Sequence, residues 1–347
     1  MSNRNYSLDV IRTFAITFVV ANHAIEFLFP FNYKTNGVEL FCNMPFTYQL
    51  FQFVVFTMGR LGVPLFFMLT SFLLVAREYD TKEKIIRFYK KNFFGLVLIW
   101  YIWIILYNAF LLAFEQRQFV IKDILLEFLL LKNVPLMHSW YMNEIIIIYA
   151  IIPVLSYFLK KVGHVQELVV GILLFTTVNS YFGGIHYIGF FVTKLMYLAY
   201  VIAGYHFAVT KKHYSKLFCT CTFVIGFMTI VGWQIYSYHQ NINPSNIWYT
   251  NPLHYLVSLS LSYLLFLLLW EKGRLFSNIE TISRISFGIY LLHVPAMKIT
   301  ISILPYLNKA TIFNVISLFL ISFIVCTIVI LIVKRLPLIG KPIFYIK

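Results

Sequence analysis

Charge is the scarcest property of this chain. Only 12% of its 347 residues are Asp, Glu, Lys or Arg and 60% are hydrophobic, with a mean hydropathy of +0.79, whereas a soluble domain carries about 25% charged residues. A surface so poor in charge has to face lipid over most of its area. Acidic residues are the rarest, 13 against 28 Lys and Arg, for a net charge of +15. No aromatic-basic module or groove-reading motif accompanies that surplus, which argues against a nucleic-acid binder. Anionic lipid headgroups and anionic cytosolic ligands are the expected partners. Cysteine is sparse too. Cys42, Cys219, Cys221 and Cys326 lack ligand spacing, and Cys219-x-Cys221 lacks the two-residue gap of a zinc or redox pair. No P-loop, zinc cluster, G-x-S-x-G elbow or GxxxG face occurs, so no metal site is expected. Without a Pro/Ser linker or low-complexity tract, residues 1–347 read as one integral-membrane domain.

Long apolar runs are what the chain has in abundance. Stretches long enough to cross a hydrocarbon core fall near 9–30, 49–75, 92–114, 142–159, 165–181, 187–208, 215–237, 253–270, 284–304 and 312–333. They predict an all-α polytopic membrane protein with about ten transmembrane helices. Arg4 ahead of the first run resembles a secretory signal, but Asn22-His23-Ala24-Ile25-Glu26 interrupts it and no small-residue cleavage site follows, so a retained first span is expected. The basic residues set the orientation. With both termini cytoplasmic, every Lys and Arg except Lys34, Arg60, Arg117, Lys122, Lys132, Lys194, Lys298 and Lys309 falls on the cytoplasmic side, as the positive-inside rule requires. One span more or fewer before the middle would invert the later loops and spoil that pattern.

An ionisable group inside a span is costly, and it reads first as functional. The first span holds Asp9, Arg12 and His23. Arg12 and His23 are eleven residues apart, about three helical turns, so they share one face roughly 16 Å apart along the axis. Asp9, three residues before Arg12, can pair with it. Such a face suits acyl transfer across a membrane: a cationic site for a phosphate-bearing donor, and a deeper imidazole to take a hydroxyl proton. Glu26, one turn beyond His23, either orients the imidazole or sits at the outward interface. In the second span Pro64 predicts a bend, and Arg60 is either an anchor for an anionic acceptor or an interfacial snorkeller. The basic loop from Arg77 to Lys91 brings Arg87, Lys90 and Lys91 to the mouth of the third span. Positive-inside anchoring explains it, and so does a site for coenzyme A phosphates. Trp140-Tyr141 reads as an interface belt, Tyr290 and His293 lie one turn apart in the ninth span, and Lys194 and Lys298 read as snorkellers.

These motifs, in this order, resemble the membrane-bound acyltransferase-3 family, bacterial enzymes that typically O-acylate surface polysaccharides. The first is Leu8-Asp9-Val10-Ile11-Arg12 with His23, similar to its Arg-x10-His signature. The others are Gly62-Val63-Pro64-Leu65-Phe66-Phe67, Trp140-Tyr141 with Tyr149 and Pro153, and Ile289-Tyr290-Leu291-Leu292-His293. Ser71 stands where the family has Gly, and Phe287 where it commonly has Tyr. The resemblance implies an acyl-CoA co-substrate, usually acetyl-CoA, and a sugar or polysaccharide hydroxyl as acceptor, in the bacterial cytoplasmic (inner) membrane. Asp9, Arg12 and His23 become the catalytic group, Arg87, Lys90 and Lys91 the donor site, and Arg60, Trp140, Tyr290 and His293 the acceptor cavity. His23 then acts as general base or carries the acyl group itself. Only Lys334 to Lys347 follows the last run, so the form without an extra-cytoplasmic domain is expected. The rival reading is a polysaccharide or acyl-group exporter of the same fold, although no inverted repeat is visible.

Overall fold

The apolar runs become helices, since a backbone in lipid must satisfy its own hydrogen bonds. A computed structural model describes residues 6–29, 37–118, 120–163, 165–181, 189–210, 215–241, 251–272, 279–336 and 342–344. It leaves the side chains of 37, 165–166, 176–181, 189–194 and 266–272 undescribed. Arg4, Lys34, Lys211, Lys212, Arg274, Lys341 and Lys347, and the side chains of Lys194 and Lys272, therefore lie outside the described residues. The helices are α1 (Tyr6–Leu28), α2 (Gly37–Cys42), α3 (Phe46–Arg60), α4 (Gly62–Leu74), α5 (Lys82–Phe88), α6 (Phe94–Glu115), α7 (Ile121–Phe128), α8 (Trp140–Val162), α9 (Val165–Tyr181), α10 (Gly189–Val209), α11 (Lys216–His239), α12 (Pro252–Lys272), α13 (Glu280–Ile303) and α14 (Ile312–Val333). No strand occurs among the described residues.

Seven of these units are long and apolar enough to cross a membrane: α1, α3 with α4, α5 with α6, α8, α11, α13 and α14. The other three expected stretches are also helical, as α9, α10 and α12. Two differences from the sequence expectation are local. The basic stretch from Lys82 is helical rather than a loop, because Thr81 caps it by accepting from the Lys84 N–H. It joins α6 through a π-turn at Tyr89–Phe93. The bend in the second span falls at Leu61, just after Arg60, whose carbonyl is the one that the Pro64 ring displaces. Lys298 pairs with Glu115.

Helix α1 lies at the centre, packed against α3, α4, α12, α13 and α14. Its most apolar stretch is 61% buried, as is that of α13, against 28% for α14 and α11. Two glycines at the α3–α4 bend permit this. A Cβ on Gly59 would stand 2.5 Å from the Cβ of Asn22, and one on Gly62 would stand 2.5 Å from the Ala15 carbonyl oxygen, so no larger residue lets the bend approach α1 this closely. Between α6 and α8, Arg117 pairs with Asp123 and with the buried Glu127, while Lys132 holds the Asp123 carboxyl below its ordinary range.

Candidate active site

The polar side chains of α1 meet those of α13. Asp9 is buried, and its Oδ1 accepts from Ser283 Oγ at 2.6 Å. Ser283 Oγ in turn accepts from Arg12 Nη1 at 3.3 Å, while the direct Arg12–Asp9 separation is 3.9 Å. The expected pairing of Asp9 with Arg12 thus runs through a hydroxyl 271 positions away from Arg12 in the chain. The Arg12 side chain keeps 30% of its surface exposed.

Three turns further on, His23 Nδ1 lies 2.9 Å from His293 Nε2. The neighbouring groups settle the tautomers. His293 Nδ1 faces the carbonyls of Tyr290 (2.7 Å) and Ile289 (3.2 Å), so it carries the proton. Its Nε2 is then an acceptor in the neutral ring, and His23 Nδ1–H donates to it. That leaves the lone pair of His23 on Nε2. A third ring, His138, closes the cluster, with centroids 6.3 Å from His23 and 4.9 Å from His293. Pro295 explains its placement. Proline has no N–H, so the Leu291 carbonyl four residues earlier loses its helical donor; Tyr107 O–H supplies one at 2.6 Å. With its proton committed there, the Tyr107 oxygen accepts from His138 Nε2 at 3.0 Å. Tyr290 O–H donates to the His138 carbonyl at 2.5 Å and fixes the segment ahead of α8.

Beside His23 a buried ion pair joins α1 to α3. Glu26 Oε1 lies 2.9 Å from Arg60 Nη2, and Glu26 Oε2 accepts from Asn22 Nδ2 at 2.8 Å. The same Oε2 stands 3.9 Å from His23 Nε2. Arg60 is 5% exposed and stacks over Phe56, so its guanidinium is spent on Glu26 rather than presented to an open anion site.

Three cavities run in series from the basic segment to His23. The outermost, about 340 Å³, is lined by Arg77, Lys84, Arg87, Lys91 and Asn92 among others; Lys90 is exposed and does not line it. Lys84 there is paired with Asp80 and Glu78, and burial pushes the phenol of Tyr79 up to about 12, which keeps it neutral. Arg77 and Asn92 also line the next cavity, about 480 Å³, with Arg12, Ser283, Tyr141 and Tyr290. Tyr141 and Tyr290 line the third as well, about 20 Å³, with Asn22, His23, His138 and Trp140. The structure therefore gathers Arg12, His23, Trp140, Tyr290, Arg87 and Lys91 along one path, with Asp9 held behind Ser283. His293 has no exposed surface and touches His23 rather than a cavity. Among the described residues no group of His, Cys, Asp or Glu could hold a metal ion.

Asn22, Arg77, His138 and Ser283 were not singled out from the sequence as site residues. Only Arg77 carried a signal there, as the first charge of the basic stretch. Tyr107→Phe is expected to leave the Leu291 carbonyl and His138 Nε2–H without partners, lowering stability by about 1–3 kcal/mol. Thermal unfolding of the detergent-purified protein checks this.

Comparison with known proteins gives the family. A curated amino-acid racemase of Enterococcus faecalis is 27% identical over 188 residues, 53% of this chain and 23% of that protein, so the alignment spans about a quarter of the relative's length. No solved structure matches. The family model described as an acyltransferase domain matches residues 5–335, from before Arg12 and His23 to beyond α14. The chain belongs to the acyltransferase-3 family.

Proposed function

We propose that the protein is an O-acyltransferase of the bacterial cytoplasmic membrane, with ten spans and both termini inside. It would move an acetyl group from acetyl-CoA to a hydroxyl of a cell-surface polysaccharide or lipid-linked sugar. The observation that carries this reading is the row of cavities from Arg87 and Lys91, past Arg77 and Arg12, to His23. The phosphates of the donor suit the outer cations. The eleven-residue rise from Arg12 to His23, about 16 Å, is a distance that a pantetheine arm can cover. His23 Nε2 takes the proton of the acceptor hydroxyl. The oxygen then attacks the thioester carbonyl, a C–O bond forms, the C–S bond breaks, and the departing thiolate takes the proton from His23. The Nδ1–H donated to His293 keeps the ring aimed throughout. Glu26, 3.9 Å away, stabilises the transient imidazolium.

The exporter reading finds less support in this geometry. The path narrows to about 20 Å³ beside His23, room for one or two oxygen-sized groups and not for a saccharide in transit. The test uses purified protein in detergent with radiolabelled acetyl-CoA, following acetyl transfer and thioester hydrolysis. Arg12→Ala is expected to raise KM for acetyl-CoA at least tenfold, in line with loss of a charge-assisted contact. Absence of both transfer and hydrolysis in the native protein would overturn the reading.

A further inference from the structure

The small cavity beside His23 has an unusual wall. Asn22 Nδ2 donates to the Glu26 carboxylate, which leaves Asn22 Oδ1 as the remaining acceptor; it is buried and unpaired. His138 commits Nε2–H to Tyr107, so its remaining atom, Nδ1, is also an acceptor and is likewise buried and unpaired. His23 commits Nδ1–H to His293 and keeps the Nε2 lone pair. Three residues that each keep an acceptor atom, Asn22 Oδ1, His138 Nδ1 and His23 Nε2, thus line one space of about 20 Å³. Buried acceptors are seldom left without donors, and a space of that size holds one or two oxygen-sized groups. Two adjoining O–H groups bring two protons, one for His23 Nε2 and one that Asn22 Oδ1 and His138 Nδ1 can share in a three-centre bond; a lone alcohol brings only the first.

Resting on the acyltransferase reading, we propose that Asn22 and His138 are positioning residues for the acceptor. Between them they accept the single proton of the hydroxyl next to the reacting one, so that His23 meets one chosen member of a vicinal diol. Specificity then comes from buried acceptors that go unpaired when the neighbouring hydroxyl is missing, a discrimination that an apolar wall cannot give.

The test compares trans-1,2-cyclohexanediol with cyclohexanol as acceptors for radiolabelled acetyl-CoA, using the full-length protein in detergent. The native protein is expected to prefer the diol at least tenfold in kcat/KM. His138→Gln, whose amide reaches Tyr107 but vacates the Nδ1 position, should bring that ratio close to one. His138→Asn, whose amide oxygen stands near the Nδ1 position, should keep it. Should the His138 variants not fold, Asn22→Ala is expected to reduce the same ratio. Equal use of both alcohols by native protein, or an unchanged ratio in His138→Gln or Asn22→Ala, overturns the proposal and leaves the acyltransferase reading intact. No transfer to either alcohol and no thioester hydrolysis overturns both.

Discussion

Replacing His23 by alanine is expected to lower acetyl transfer roughly 10³-fold, within the range of a positioned general base, while the protein still inserts and purifies as a folded species. His23 is 8% exposed and is the residue of the three-histidine cluster whose Nε2 keeps its lone pair beside the innermost cavity. A companion pair separates chemistry from positioning. His293→Phe removes the acceptor of His23 Nδ1–H and should lower kcat about 10-fold to 100-fold at unchanged KM, because a misaimed base weakens the transition state more than the ground state. His293→Gln returns an acceptor oxygen and should recover part of that loss. Wild-type rates in His23→Ala, measured with radiolabelled acetyl-CoA, would end its assignment as the base.

Arg60→Leu should have the largest effect on stability, about 3–5 kcal/mol, because it leaves the Glu26 carboxylate buried without its cation. Glu26 and Arg60 are 2.9 Å apart, with 19% and 6% of their side-chain surfaces exposed. Removing both charges, as Arg60→Leu with Glu26→Leu, should restore most of the melting temperature, since no uncompensated charge then remains. Activity should not return with it, because Glu26 is also the carboxylate nearest His23 Nε2. Thermal unfolding and acetyl transfer on the same samples follow the two effects independently. If the double variant melts as low as the single one, the buried pair is not what holds α3 against α1.

What could be read from the chain was whatever local spacing encodes. Apolar runs placed the helices, because a lipid-facing segment advertises its length in consecutive residues. The eleven-residue interval placed Arg12 and His23 on one face, because helical periodicity is a property of α1 alone. The partners of those residues were hidden. Ser283 and His293 reach Asp9 and His23 from more than 250 positions away, and only helix packing order decides which faces meet. Glu26 and Arg60 were visible as ionisable groups in or near lipid, but nothing in either span shows that they face each other. His138 lies in an irregular segment just ahead of α8, where no periodicity assigns a side chain to a face. Its role follows from Pro295, which frees the Leu291 carbonyl and so draws Tyr107 into place.

The rings of Tyr141 and Tyr290, which wall both inner cavities, bear on the cell's energy supply. In the proposed orientation an imidazole at mid-depth is approached by a thioester from one compartment and by an alcohol from the other. A histidine wetted from both sides at once would shuttle H⁺ down the electrochemical gradient, each charge dissipating about 2.3 kcal/mol per 100 mV. In the proposed reading the two phenols, shared by both inner cavities, stand where such a leak would have to be blocked.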